Sequence, residues 1–528
     1  MRIIDSPTLW AWLHDDGEIA VVDVRDGGPY SRNHILAASS IPLSLFEIQV
    51  PRLVPRKSAR VVLVDDGDGL ARRAADLIES ADYSDVYLLD KGNPGWEASG
   101  YQLFSGSGII SKAFGELVEH GSHTPSITAE RLREWQMTGK RFHLVDTRPY
   151  AEYQTVSLGG AVDCPGVELL YRVPSILREP NVPVVVNCAG RTRSIIGTQS
   201  LIDFGIENPV FALENGTMGW QLAGYDVLNG QQNVLPEPDP DQRAQAVSRA
   251  AHVAQRDGLS FIDLGQLEVF RADQSRTTFV FDVRQADSFA KGHLVGSVNA
   301  PGGQLIQATD SYIGIRNSRV VLVDQFLVQS VVTAHWLARM GWEVYILDPS
   351  QGELPQSTSS YVEPLITLPS EVRSVDSEEL RAELESGSCV AIDVGESYWY
   401  RHGRIPSSYY SMRSVLTNAL SQFEKTQQIV FVCGNGSVSP YAAGDALAAG
   451  FPQCRYLNGG RAAWRQRGLP VEVVGDGDDD RLLSATDDMW YPPWARQEGV
   501  SEAIMQYLTW EVGLLEALKS ETYVKFLK

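Results

Sequence analysis

The chain is poor in cysteine: 528 residues carry five, Cys164, Cys188, Cys389, Cys433 and Cys454, with no CxxC pair among them. So sparse and odd a set does not make a disulfide framework, and a reducing compartment is expected. Nowhere does the sequence approach the roughly 18 consecutive apolar residues of a spanning helix. The opening MRIIDSPTLWAWLHDDGEIAVVDVR has no basic segment followed by an apolar core and a cleavage site. A soluble, cytoplasmic protein with no membrane partner is therefore expected. Positive charge is also short, since 45 Lys and Arg face 66 Asp and Glu, for a net charge of -21. That sign is wrong for nucleic acid or an anionic lipid surface. In so acidic a chain, VVVNCAGRTRSIIG at 184–197 stands out, with two arginines and no carboxylate around a cysteine.

What is present is the composition of packed domains, 43% apolar and 21% charged. The length exceeds what one core can fill and suggests about three to five domains. Self-similarity makes the number four. Short strands ending in an acid recur as VVDVR (21–25), LVDTR (144–148), VFDVR (280–284) and AIDVG (391–395). Each precedes a second apolar strand: VVLVDD, VVVNCA, VVLVDQ and VFVCGN. From the acid of the first strand to the end of the second, the separations are 42, 42, 42 and 40 residues (Asp23 to Asp65, Asp146 to Cys188, Asp282 to Asp324, Asp393 to Cys433).

A helical pattern, a third strand and a glycine-rich turn follow in the repeat, with tryptophan in three copies (GNPGW, NGTMGW, GGRAAW). Apolar strands alternating with helices imply parallel sheets covered on both faces. Linkers are read at 105–112, 235–242, 349–360 and 474–480. After the last, Ile504, Tyr507, Leu508, Val512 and Leu515 recur at helical spacing. This predicts a helix that docks on a neighbouring domain as a packing appendage.

The order strand-D-x-R, then G-H-x-x-G-(A/S)-x-x-x-P, seen as KGHLVGSVNAP in copy three, then a strand ending in Cys, a short loop, a helix and G-x-x-x-W resembles the rhodanese domain. The resemblance implies four tandem three-layer α/β/α domains with parallel central sheets, at 1–108, 122–234, 256–362 and 372–475, followed by a helical extension at 476–528. It also implies ping-pong sulfur transfer, in which the strand-end cysteine takes a sulfane sulfur, becomes a persulfide and passes it on. Asp65 and Asp324 occupy the cysteine position in copies one and three, so those copies are expected to be silent.

Cys188 is the first candidate nucleophile. Its loop, Ala189, Gly190, Arg191, Thr192, Arg193 and Ser194, is the candidate donor-binding segment, with inward amides and a helix N-terminus that favour a thiolate. Arg191 and Arg193 suit an anionic donor such as thiosulfate, or a low-molecular-weight persulfide, with cyanide or a thiol as acceptor. Arg172 is a further candidate contact with the donor, or else a solvated surface residue.

Cys433, in CGNGSVS, is the second candidate: its loop carries Gly436 at the third position, as the family often does, but no basic residue. The Cys188 loop departs there, with Gly190 at the second position and Arg191 at the third. Cys164 is read as a buried thiol, or as one that pairs with or guards Cys188. Cys389 and Cys454 are read as core residues, and the first-strand aspartates with Arg25, Arg148 and Arg284 as structural. No metal or cofactor is called for. A scaffold or sulfur-sensing role is the alternative function. A cysteine phosphatase or arsenate reductase is disfavoured, because Arg193 lies five rather than six positions after Cys188. One active copy beside one silent copy is a common family layout, which copies one and two would suit.

Overall fold

The computed structural model describes residues 2–351, 355–359, 362–474, 479–493, 496 and 498–527. The third and fourth linkers fall partly outside these residues, and the 475/476 domain boundary lies outside them. Copy one builds β1 (Arg2–Ile4), β2 (Ile19–Asp23), β3 (Ala38–Ser40), β4 (Arg60–Val64) and β5 (Val86–Leu89). They form one parallel sheet of order β1-β5-β4-β2-β3. The other three copies repeat that five-stranded parallel order.

The central strands are fully buried along Val61–Val64, Val184–Val186, Val320–Leu322 and Ile429–Val432. Their continuous Val/Ile/Leu character follows from helices on both faces, and each such side chain contributes about 1.5–3 kcal/mol relative to exposure. Register explains the repeated spacing: Asp23, Asp146, Asp282 and Asp393 pair with Val64, Asn187, Val323 and Val432. Each first-strand acid therefore stands beside the residue just before the cysteine position. The repeat tryptophans are core pins, with the indole N–H of Trp96, Trp220 and Trp464 donating to the carbonyls of Gln102, Asp226 and Pro470.

Four helices bear on the sites: α1 (Ile109–Ser122), α2 (Thr192–Asp203), α3 (Ser439–Ala448) and α4 (Val500–Ala517). The chain forms two compact units. One holds Met1–Leu13, Ile19–Gly106 and Val362–Trp490, and the other His14–Glu18, Ser107–Tyr361 and Tyr491–Lys528. Copy one thus packs with copy four and copy two with copy three, so each unit joins a copy that has a strand-end cysteine to one that lacks it.

The physical reason lies in the surfaces that meet. In the first unit, Arg413 of copy four reaches Glu47 of copy one at 2.6 and 2.7 Å, both buried. Removing one member of such a pair costs about 3–5 kcal/mol. In the second unit, Gly166 of copy two and Gly303 of copy three approach so closely that a Cβ on Gly166 would lie 2.6 Å from Gly303 Cα.

The C-terminal extension is not helical throughout. The amide of Leu483 donates to Tyr410 and that of Gly27 to Asp488, at 2.8 and 2.9 Å, so this stretch is a strap across the first unit. The helix begins at Val500 and belongs to the second unit. Among the described residues no helix is long and apolar enough to cross a membrane.

Candidate active site

All four copies close their fourth strand with the same device. The chain curls through a short loop into a helix, and in copies one, three and four the loop amides turn toward the first residue after the strand. The following glycine turn anchors that residue's carbonyl in three copies: Asn93, Thr217 and Arg461 donate their amides to Asp65, Cys188 and Cys433 at 2.8–2.9 Å.

Copies one and three show what the cradle accepts. Asp65 takes amides of Gly67, Gly69 and Ala71 at 2.9–3.1 Å. Asp324 takes amides of Val328 and Gln329 at 3.2 and 3.1 Å and the Ser330 hydroxyl at 2.6 Å. A ring of donors beside a helix N-terminus holds an acceptor, best an anion.

Cys433 sits in the same cradle. Its Sγ accepts the amides of Gly436 and Val438 at 3.2 and 3.4 Å and lies 3.6 Å from the Ser439 hydroxyl. The loop takes this path because Gly436 has φ +85°, and a Cβ there would meet the Gly459 amide nitrogen at 2.8 Å. Cys433 lines a cavity of about 450 Å³ inside the first unit, to which both of its copies contribute.

A second departure in copy four accompanies that opening. Arg25, Arg148 and Arg284 pair with their first-strand aspartates as expected for a structural role. Copy four has Gly395 there, and Arg461 reaches Asp393 at 2.7 Å from the glycine turn instead. Gly395 lines the cavity where the other copies carry a guanidinium.

Cys188 is placed differently. Its thiol donates to the Ser194 hydroxyl at 3.4 Å, and that hydroxyl donates to Arg191 O at 2.8 Å. Arg191, at the position of Gly436, keeps an ordinary φ of -121°. The two arginines do not present free charge. Arg191 binds Glu116 at 2.7 Å and also Glu119, both on α1, while Arg193 binds Glu152 at 2.8 Å.

The loop is roofed by α4. Ile504 and Leu508 pack with Ala189 and Met218, and the Thr192 hydroxyl donates to Glu511 at 2.7 Å. The void beside Arg193 is about 20 Å³, room for about one water. The expected lowering of the Cys188 thiol is thereby corrected: burial pushes it up, Arg193 and Ser194 oppose this, and Glu511 adds to it. The predicted appendage therefore forms and docks, and it does so on the Cys188 loop itself.

The remaining residues are quickly placed. Arg172 is held by Glu168 at 2.8 Å and by Glu237, and it donates to Leu235 O. All five cysteines are free and buried. Burial, helped by Glu168, pushes Cys164 well up, and burial takes Cys389 and Cys454 to about 12. Sequence reasoning missed Asp26, Gly395, Arg461 and Glu511. Only Gly395 carried a local signal, as the break in strand-D-x-R. Asp26 and Glu511 reach their sites across more than three hundred residues of chain, and Arg461 pairs with Asp393 across 68.

The strand-end cradles, two holding carboxyl groups and two holding thiols, define a tandem α/β protein built around an acceptor at a helix N-terminus. The chain belongs to the rhodanese family: the profile of the Rhodanese-like domain matches residues 6–99, 128–223, 267–350 and 376–467. The crystal structure of thiosulfate sulfurtransferase from Pseudomonas aeruginosa is 37% identical, with TM-score 0.93, and the match covers 100% of this chain and 99% of that one. The rhodanese-like domain-containing protein 15, chloroplastic, of Arabidopsis thaliana is 37% identical over 79 residues, which are 15% of this chain and 42% of that protein's length. A rhodanese-like domain protein from Staphylococcus aureus is 25% identical over 19% of this chain and 98% of its own, with TM-score 0.18.

Proposed function

We propose that the protein is a sulfurtransferase whose principal sulfur carrier is Cys433. The observation that carries this reading is the pair of backbone amides on the Cys433 sulfur, in the cradle that elsewhere holds Asp65 and Asp324, with Cys433 among the residues that line a cavity of about 450 Å³. Such donors stabilise a thiolate and, after transfer, a persulfide anion.

With thiosulfate as donor, the Cys433 thiolate attacks the sulfane sulfur, the S–S bond breaks, and sulfite leaves with the bonding pair. A low-molecular-weight persulfide R–S–SH reacts in the same way and releases R–S⁻. Cyanide or a thiolate then attacks the outer sulfur and returns the electron pair to Cys433. The printed name of the Pseudomonas aeruginosa relative supports thiosulfate as one donor.

Cys188, with Ala189, Gly190, Arg191, Thr192, Arg193 and Ser194, stands in this reading as a second carrier to which α4 limits access. Arg172, already tied to two glutamates, is assigned no donor contact. Five free thiols support a reducing, cytoplasmic setting.

Mass spectrometry of the full chain after incubation with thiosulfate tests the assignment. The peptide containing Cys433 gains one sulfur atom, and cyanide removes it as thiocyanate. An adduct on Cys188 alone, or full turnover by Cys433→Ser, overturns it.

A further inference from the structure

The Cys433 cavity carries more carboxylate than a small dianionic donor by itself would call for. Two guanidiniums line it, but both are already matched: Arg413 by Glu47 and Asp445, and Arg461 by Asp393. Three carboxyl groups also line it, Asp26 of copy one, Glu396 of copy four and Asp488 of the C-terminal strap, and none has an ion pair among the described residues. The Ser44 and Ser414 hydroxyls donate to Asp26, and the Ser397 amide donates to Asp488 at 2.9 Å. These donors leave the net negative charge of the cavity unmatched.

Burial pushes Asp26 up to about 6, with the Ser414 and Ser44 hydrogen bonds opposing this and Asp488 and the Arg32-paired Asp487 adding to it. Trp399, 49% exposed, stands at the same cavity, and Met412 and Met489 supply apolar wall. An indole face and carboxylates together suit an ammonium group on a short carbon chain. The volume, about 450 Å³, is far more than an ion the size of sulfate fills.

We propose that this cavity selects amine-bearing low-molecular-weight thiols and their persulfides over carboxylate-bearing ones of the same length, with Asp26, Glu396 and Asp488 as the selecting residues. The inference rests on the sulfur-carrier reading of Cys433. The copy without a cysteine thereby supplies part of the specificity, through Asp26. In the transfer itself, the thiolate of the amine-bearing acceptor attacks the outer sulfur of Cys433–S–SH. The new S–S bond forms as the old one breaks, the bonding pair stays on Cys433 as thiolate, and the proton leaves with the new persulfide, so no outside oxidant enters.

The test uses the full chain, loaded at Cys433 and discharged by cysteamine, 2-mercaptoethanol or mercaptoacetate at equal thiolate concentration. Loss of the sulfur adduct is followed by mass. Cysteamine is expected to discharge it about tenfold or more faster than mercaptoacetate, with mercaptoethanol between, and added salt compresses the ratio. Glu396→Gln, on the exposed rim, and Glu396→Gln with Asp488→Asn bring the ratio toward one, and Asp26→Asn lowers it further. Equal or reversed rates in the unaltered protein overturn the proposal. Failure of Cys433 to take up sulfur from any donor overturns the carrier reading beneath it, whereas loading followed by charge-blind discharge removes this inference alone.

Discussion

Cys188 and Cys433 end equivalent strands, begin loops of equal length, and are each 1% exposed. They differ in what surrounds those loops. Around Cys433 the third loop residue is glycine with positive φ, two amides turn onto the sulfur, and a cavity lies beyond it. Around Cys188 the third residue is an arginine drawn toward α1, hydrogen bonding to the sulfur rests on Ser194 among the described residues, and α4 closes the approach. Nearby basic residues are thus a poor guide to a reactive thiol when each already has its carboxylate. Directed amides and an adjoining cavity are what the proposal for Cys433 rests on.

The largest test of this contrast removes each sulfur in turn. Cys433→Ser should lower thiosulfate:cyanide turnover by about a thousandfold or more, since no other group can replace a covalent carrier. Cys188→Ser should change it by less than about twofold if Cys433 carries the flux. Steady-state rates on both variants decide between the two sites.

Next in size is the loop path. Gly436→Ala forces a Cβ into the Gly459 backbone at a left-handed position, so a loss of about tenfold or more in kcat is expected. Gly190→Ala meets only side-chain atoms at 3.3 Å and beyond and should leave turnover near that of the unaltered protein. A large loss in the second variant would return the principal role to copy two.

The roof over Cys188 can be opened separately. Leu508→Asp places a charge in the cluster with Ala189, Met218 and Ile504, at a cost of about 2–4 kcal/mol to the second unit. Labelling of Cys188 by a thiol reagent under native conditions should rise by about tenfold or more, with Cys433 labelling unchanged. Peptide mapping after brief exposure reads both thiols in one sample.

The smallest effect distinguishes the units by pH. Burial, with Asp146 and Glu168 adding to it, raises Asp163 to about 8, and burial raises Glu168 to about 7, both in copy two. Asp26 in the first unit is raised to about 6. A carboxyl raised above its unfolded value near 4 favours the protonated folded state, so its contribution is full below that value and is lost as pH climbs through the folded pKa. The second unit should lose stability between about pH 4 and 8, and the first between about pH 4 and 6. Urea midpoints at pH 6 and 9 should therefore fall for the transition assigned to the second unit, and Asp163→Asn should flatten that change.

Much of the fold was legible before any coordinates. Val/Ile/Leu runs alternating with helical patterns at a repeated separation imply parallel strands covered on both faces, and the register of Asp23, Asp146, Asp282 and Asp393 beside the fourth strand is the geometry behind that spacing. The copies without cysteine were legible for a related reason, since one residue position decides whether a sulfur can be carried at all. Arg191 and Arg193 read locally as free positive charge, and the structure pairs both. Their partners Glu116, Glu119 and Glu152 lie 41 to 75 residues away, and a charge counts only after its neighbours are known.

Sequence alone therefore determined the four-fold repeat, the parallel α/β architecture, the two cysteine-bearing strand ends and the glycine at 436, because these follow from short-range patterns of burial and backbone freedom. Tertiary structure alone decided that copy one packs on copy four and copy two on copy three, that α4 covers Cys188, and that Asp26 lines the Cys433 cavity. Those outcomes depend on which buried charges and close-packed surfaces find complements, a long-range competition that no local pattern in the chain records.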